Sequence, residues 1–259
     1  MNRREFLGTS AAIATATTIG TVSGAKEDKM EIYELRKYTL RRGTMPSRMD
    51  NYLKSAFMPA ARRLGLGPVG VFSLSMGPDS PTYYVLLVHP SSDSVITFNA
   101  KLAGDAQHLA DGAEFLNAVA TDPAYARIES SLLMPFTGMP KLELPDVTKP
   151  RIFELRIYES HNEKANRKKI EMFNMGEIAI FRRNGLKPVF FGQTILGPKM
   201  PNLTYMLTFE DTAARDKNWG QFVSDPEWKK LSTTPGFADA DILTNISNLI
   251  LKPTVYSEI

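Results

Sequence analysis

Hydrophobic and polar residues alternate along two stretches of the chain that have nearly the same sequence. Residues 31–38 read EIYELRKY and residues 151–158 read RIFELRIY, with a constant offset of 120 positions. Alternation with a period of two is typical of β-strands whose two faces meet different surroundings. The same offset joins Gly65 to Gly185 farther along the chain. We therefore interpret the chain as an internal duplication.

The first copy is predicted to contain four strands and two helical regions. Apolar residues spaced three and four apart predict an amphipathic helix over about 46–64, which Gly65 ends. Runs rich in β-branched and aromatic residues predict the strands, and a stretch with central glycines predicts an interrupted helical region. The strands fall at about 31–39, 69–76, 82–88 and 129–136, and the second helical region at about 93–121.

The second copy repeats this order after a proline-rich linker over 137–150. An Asp-Pro pair at 225–226 also echoes the pair at 122–123, at the shorter offset of 103 (225 minus 122). The predicted elements are strands at about 151–159, 188–197, 203–209 and 244–252, helices at about 163–184 and 211–223, and a turn at about 225–231. Each copy therefore has the order β-α-β-β-α-β.

This order is that of a ferredoxin-like unit, a four-stranded antiparallel sheet with both helices on one face. The other face of such a sheet is bare and must be covered. Two copies in one chain can cover each other. We therefore predict an α+β fold in which two tandem ferredoxin-like units pack sheet to sheet as an α/β barrel.

The repeated strand places charged side chains on one face, because residues two apart share a face. That face is predicted to line the space between the sheets, whereas Phe153, Leu155 and Ile157 are predicted to pack under helices. The candidate ligand-binding residues are Glu34, Arg36, Tyr38, Glu154, Arg156 and Tyr158. The arginines either bind an anionic or carbonyl group of a ligand or form structural ion pairs with the glutamates. No third catalytic group is evident, so catalytic residues stay unknown.

The amino-terminal 25 residues resemble a twin-arginine export signal of bacteria. Arg3 and Arg4 precede an uncharged, weakly apolar run that ends in small residues. The predicted location is therefore the periplasm or another exported compartment. The predicted organisation is a signal peptide over 1–25, a first unit over 26–136, the linker over 137–150 and a second unit over 151–259.

Composition narrows the chemistry that the chain can perform. It has no cysteine, which excludes disulfides and thiol catalysis. A formal net charge of +3 without basic clusters argues against nucleic-acid binding. After residue 25, no stretch is long and apolar enough to predict a membrane span. The composition is compatible with binding of a small-molecule ligand and with formation of a homo-oligomer.

The histidines lack the spacing of a metal-binding set, so neither a metal nor a cofactor is predicted. We expect His89 and His161 to be solvated, and His108 is the best-placed axial ligand if a haem were bound. Other conspicuous side chains are expected to be structural: Trp219 and Trp228 as helix packing, and the basic run Lys164, Arg167, Lys168 and Lys169 as a solvated helix face.

Three motifs resemble the NIPSNAP family. They are ELRKY and ELRIY at the strand starts, the helix-to-glycine passages at 60–69 and 180–189, and AARDKNWGQFVSDPEWKKL at 213–231. The resemblance spans the chain after the signal, as two tandem domains. It implies the dimeric α/β-barrel fold, which small monooxygenases and haem-degrading enzymes share. It carries over no catalytic residues.

Two functions are compatible with these observations. The first is an exported, non-catalytic NIPSNAP-type protein that binds a small ligand or acts as a scaffold, with a polar pocket between the two sheets. The alternative is an oxidoreductase or monooxygenase of the dimeric α/β-barrel type, acting on an aromatic or haem-like ligand. The alternative rests on analogy of fold, which is weak evidence for function.

Overall fold

The computed structural model describes residues 31–259, so the predicted export signal lies outside the described residues. Its first unit consists of β1 (Ile32–Thr39), α1 (Met45–Tyr52), a π-helical turn (Leu53–Phe57), α2 (Met58–Arg63), β2 (Val69–Met76), β3 (Thr82–His89), α3 (Ser92–Ala103), α4 (Ala106–Asp111), α5 (Ala113–Leu116) and β4 (Arg127–Pro135).

The second unit repeats the order of the first. It consists of β5 (Ile152–Glu159), α6 (Glu163–Met172), a π-helical turn (Phe173–Glu177), α7 (Ile178–Arg183), β6 (Lys187–Leu196), β7 (Asn202–Phe209), α8 (Thr212–Ser224), α9 (Pro226–Ser232), α10 (Asp239–Ile242) and β8 (Asn245–Pro253). The π-helical turns stand at the same place in both units, 120 positions apart.

The eight strands form one closed antiparallel barrel in the order β1-β3-β2-β8-β5-β7-β6-β4. Within each unit the strands have the ferredoxin-like order, and the units join where β2 pairs with β8 and β4 pairs with β6. Each of these strands is therefore paired on both sides, which leaves no open sheet edge among them. The predicted fold class is confirmed.

The predicted faces of the repeated strand were wrong. Tyr33, Leu35, Phe153 and Leu155 lie inside the barrel, in one apolar cluster with residues from both units. The charged face instead lies under the helices, where Arg36 reaches α3. An eight-stranded barrel has an interior just wide enough for side chains, so apolar residues fill it. The helix-covered face supplies polar partners for charge, which burial requires.

Two local predictions also need correction. The segment at 225–231 is not a turn, because Asp225 caps the short helix α9 and accepts hydrogen bonds from the first-turn amides of Glu227 and Trp228. The counterpart of Asp225 is Asp105, at the constant offset of 120, rather than Asp122. Asp105 likewise caps α4, and the paired Arg63 and Arg183 bind the two caps at 2.7 and 2.5 Å.

The segments that follow the last strand of each unit are also related. The amide of Glu258 donates to the carbonyl of Val69 at 3.0 Å, and the amide of Glu143 donates to that of Val189 at 2.9 Å. The segment that follows β8 of the second unit includes Ile259, whose side chain is fully buried in the barrel core. The segment that follows β4 of the first unit instead continues through residues 144–151 into β5, so the course of the chain differs between the two units at this point.

Candidate functional site

The Glu-x-Arg-x-Tyr strand of the first unit forms a closed polar network. Arg36 donates to both carboxylate oxygens of Glu34, at 2.6 and 3.1 Å, and to Asn99 of α3 at 2.9 Å. Glu34 also accepts from Ser130 at 2.9 Å and lies 3.2 Å from His89 Nε2. Burial alone would raise the pKa of Glu34, but the hydrogen bonds from His89 and Arg36 outweigh it and lower that pKa to about 2.

Two histidine predictions change with this network. His89 is fully buried rather than solvated, because it binds Glu34 through one nitrogen and Ser94 through the other. His108 is buried against Tyr52, whose hydroxyl lies 3.0 Å from Nε2, and Nδ1 lies 3.0 Å from the carbonyl of Leu102. Both nitrogens of His108 are therefore engaged, and the geometry offers no free axial ligand there.

The equivalent strand of the second unit has different partners. Glu154 is fully buried and accepts from Arg156 at 2.9 Å, from Arg215 at 2.9 and 2.7 Å, and from the indole of Trp219 at 2.7 Å. The guanidinium of Arg156 also lies over the Trp219 ring, 4.5 Å from its centre. Trp219 is thus a packing residue, as predicted, and also a hydrogen-bond donor to the carboxylate.

The six predicted site residues therefore lie in two separate layers between sheet and helices, not in one pocket between the sheets. In each layer the Glu and Arg groups are bonded to one another and to helix residues. This geometry matches the ion-pair interpretation of the motif. Tyr158 also contacts residues outside its layer. Its hydroxyl lies 2.8 Å from that of Tyr205, and its ring borders a second cluster of polar side chains.

That second cluster, which the sequence analysis missed, is built around Lys169. Its ammonium lies 3.2 Å from Glu177 Oε2 and 3.0 Å from Asp239 Oδ1. The side chains of Lys169 and Glu177 are 1% and 2% exposed, whereas that of Asp239 is 49% exposed. Three aromatic rings surround the ammonium, with centres 5.7, 5.2 and 5.5 Å away: Tyr158, Phe173 and Trp228. We call Lys169, Glu177 and Asp239 the lysine cluster.

Lys169 is therefore the exception in the basic run that was predicted to be a solvated face. A comparison of positions 120 apart would have identified Lys169, because the first unit has Met49 and Phe57 where the second has Lys169 and Glu177. Met49 and Phe57 are buried in the apolar core of the first unit. Two apolar positions of one unit are thus two opposite charges in the other.

The lysine cluster has unsatisfied hydrogen-bonding capacity. Glu177 Oε2 lies 3.2 Å from the ammonium, but no donor has suitable hydrogen-bond geometry to it. Burial raises the pKa of Glu177 to about 7, although Lys169 opposes the rise. Burial alone would lower the pKa of Lys169, but the charges of Glu177 and Asp239 outweigh it and raise that pKa.

A separate groove of about 620 Å³ lies beneath the linker, at one end of the second unit. Its apolar wall includes Leu186, Pro188 and Phe209. The charged side chains along it are Glu143, Asp146, Lys149, Arg151, Arg182, Lys187, Glu210 and Lys217. Arg182 is paired with Glu143, and Lys149 with Asp146.

Within residues 31–259 no group of three or more His, Asp or Glu side chains is arranged to hold a metal ion. Over the same residues, no helix combines the length and hydropathy needed to cross a bilayer.

Solved structures of the dimeric α/β-barrel type share this fold. A candidate monooxygenase from Lactobacillus acidophilus has a TM-score of 0.58 and 13% identity, covering 86% of this chain and 94% of its own. A candidate monooxygenase from Fusobacterium nucleatum has a TM-score of 0.56 and 8% identity, covering 86% and 92%. An anthrone oxidase-like protein has a TM-score of 0.53 and 8% identity, covering 90% and 96%. At these identities the likeness shows the fold alone.

The match to a family model falls on the second unit. Residues 153–258 match the family model of NIPSNAP, so the chain carries a NIPSNAP domain there, as the resemblance predicted. No curated protein sequence matches the chain.

Proposed function

We propose that the chain is an exported small-ligand-binding protein of NIPSNAP type, with its ligand in the groove beneath the linker. The groove replaces the pocket between the sheets, because that space is filled by apolar side chains. The observation that carries the proposal is the groove itself, whose volume of about 620 Å³ lies in the range of small-molecule sites. Such sites combine an apolar wall with a few polar groups, as this one does.

The charges of the groove favour an anionic ligand with an apolar body. Once the two ion pairs are set aside, Arg151, Lys187 and Lys217 face a single acidic side chain, Glu210. Arg151 donates to the linker carbonyl oxygens of Val147 and Lys149 and to Ile259 O, and no described Asp or Glu side chain accepts a hydrogen bond from it. An anion entering the groove therefore meets more basic than acidic side chains, which favours its binding.

The test is native mass spectrometry of the protein purified from its exported location. We expect a bound mass on the wild type that K187E/K217E loses. The matched control is K229E/K230E, which makes the same change of charge on the exposed surface of α9. The proposal is wrong if the control loses the mass equally, or if neither the native protein nor a screen of amphiphilic acids shows a complex.

A second candidate is an oxidoreductase or monooxygenase that acts on an aromatic or haem-like ligand. It is favoured by the names of the three fold neighbours, each of which is matched along most of its own length. Oxygen consumption with phenolic substrates, together with the visible absorbance of the purified protein, tests this candidate. Absence of both a chromophore and any oxygen uptake would leave ligand binding as the function.

A further inference from the structure

We infer that the lysine cluster is a second binding site, specific for a phenol or enol that binds as its anion to Lys169. The site is separate from the groove, since none of its three residues lines that groove. Four observations carry the inference: the absence of the cluster from the first unit, the half-exposed carboxylate of Asp239 that pairs with its ammonium, the second carboxylate, Glu177, beside the same ammonium, and the surrounding aromatic rings.

The first observation is that the fold does not need these charges. The first unit builds the same π-helical turn and the same helix-covered sheet with Met49 and Phe57 in place of Lys169 and Glu177. A buried ion pair is often no more stabilising than apolar residues of similar volume. Burial disfavours the Lys169–Glu177 pair, and apolar residues are sufficient at the equivalent positions of the first unit. The pair therefore indicates a role other than stabilising the fold.

The second observation concerns Asp239, whose carboxylate binds the ammonium of Lys169 from the solvent-exposed side. Its side chain is half-exposed, and its element α10 is only four residues long. The neighbours Phe237 and Ile242 are buried and anchor that segment. Rotation of the Asp239 side chain into solvent therefore opens one position on the ammonium of Lys169 without unfolding the segment, while the contacts with Met172 Sδ at 3.4 Å and Glu177 at 3.2 Å remain. We interpret the Asp239 carboxylate as a stand-in for the anionic oxygen of the ligand.

The third observation is that a proton acceptor is already in place. Glu177 Oε2 and Asp239 Oδ1 lie 3.2 and 3.0 Å from the same nitrogen, so an oxygen that replaces Oδ1 shares the ammonium with Glu177. The O–H bond of the ligand breaks, its proton forms an O–H bond on the Glu177 carboxylate, and the ligand oxyanion pairs with the ammonium of Lys169. No oxidant or other reagent is required.

The fourth observation selects a flat ligand. The rings around the ammonium present apolar faces, and Trp228 is the one that is partly exposed. An aromatic or enolic body can stack on such a ring while its oxygen occupies the place of the Asp239 carboxylate. A compact inorganic anion would make the ion pair but leave the aromatic surface uncovered.

The probe for this inference is 3-nitrophenol, whose absorbance reports whether the bound molecule is ionised. The measurement is made above the pKa of about 7 of Glu177, where that carboxylate is ionised and the free probe, a weaker acid, is still mostly neutral. Under this condition we expect the protein to increase the phenolate absorbance. D239N should bind about fivefold more tightly, because it removes the competing charge of a half-exposed carboxylate. K169M should abolish binding, and E177Q should retain weak binding without the increase in phenolate.

The control variant is K164M, which removes the same charge from an exposed position of α6. The control probe is 3-nitroanisole, which cannot ionise. The groove variant K187E/K217E should leave nitrophenol binding unchanged, so failure of this site and failure of the groove are distinguishable. Unchanged binding in folded K169M, or no binding to either the wild type or D239N, would overturn the inference.

Discussion

A double-mutant cycle on Lys169 and Glu177 tests the physical basis of the lysine cluster most directly. The variants are K169M, E177M and K169M/E177M. Methionine is chosen because it stands at the equivalent of Lys169 in the first unit and is flexible enough to fill the volume of either side chain. The measurement is made at about pH 8, above the pKa of about 7 that burial gives Glu177, so that both groups are charged.

The expected magnitudes follow from burial and from the remaining partners. K169M leaves Glu177, which is 2% exposed, without its counter-charge. Breaking a buried pair costs roughly 3–5 kcal/mol, and we expect about 3 because Glu177 can take up a proton. E177M costs less, about 1–2 kcal/mol, since Asp239 still lies 3.0 Å from the ammonium. The double variant should lie within about 1 kcal/mol of the wild type.

The assay is urea unfolding followed by far-ultraviolet circular dichroism and by tryptophan fluorescence, whose agreement checks for two-state behaviour. With an m-value of about 2–3 kcal/mol/M, K169M should lower the midpoint by about 1 M. The coupling energy of the cycle should then be about 3–5 kcal/mol. If the double variant instead loses the sum of the two single losses, the cluster is not an ion pair that apolar residues can replace, and the reasoning fails.

Two other predictions follow from the structure, and a third follows from the sequence. Because the pKa of Glu177 rises from 4.5 to about 7 on folding, the native state binds more protons in that window, so stability should fall as pH rises from about 4.5 to 7; E177Q should flatten that slope in urea titrations at several pH values. Arg36→Ala should destabilise the protein by roughly 3–5 kcal/mol, and replacing Glu34 as well with an apolar residue should restore much of the loss in thermal melts. Changing Arg3 and Arg4 to lysine should leave uncleaved precursor in the cytoplasm on immunoblots of cell fractions, and normal export would contradict the predicted signal.

The strands and their order could be predicted because their signals are local. Alternation fixes where a strand lies, and the repeated strand fixes the correspondence between the units. The helix predicted over 163–184 also matches α6, its π-helical turn and α7 within one residue. Closure of the barrel followed from the bare face of each sheet, which is a general consequence of the β-α-β-β-α-β order.

The face of each strand could not be fixed in the same way. Tyr33, Leu35 and their counterparts alternate with Glu34 and Arg36, and alternation alone does not say which set points into the barrel. The choice depends on helix residues far away in sequence, such as Asn99 at 2.9 Å from Arg36. The groove escaped prediction for a similar reason, because it is made where the linker crosses the end of the second unit.

Duplication within one chain also explains how a costly cluster can persist. In a barrel built from two identical subunits, every substitution appears twice, so a buried Lys–Glu pair would impose its desolvation penalty on both halves. Here the first unit keeps Met49 and Phe57 in a packed apolar core, while the second has Lys169 and Glu177 at the same positions. The strands of both halves close one barrel, so the apolar packing of the first half also stabilises the second half, which contains the buried charges. Transferring both charges into the first unit, as M49K/F57E, should therefore destabilise the chain by more than the K169M/E177M exchange, because no equivalent of Asp239 is present there to share the ammonium.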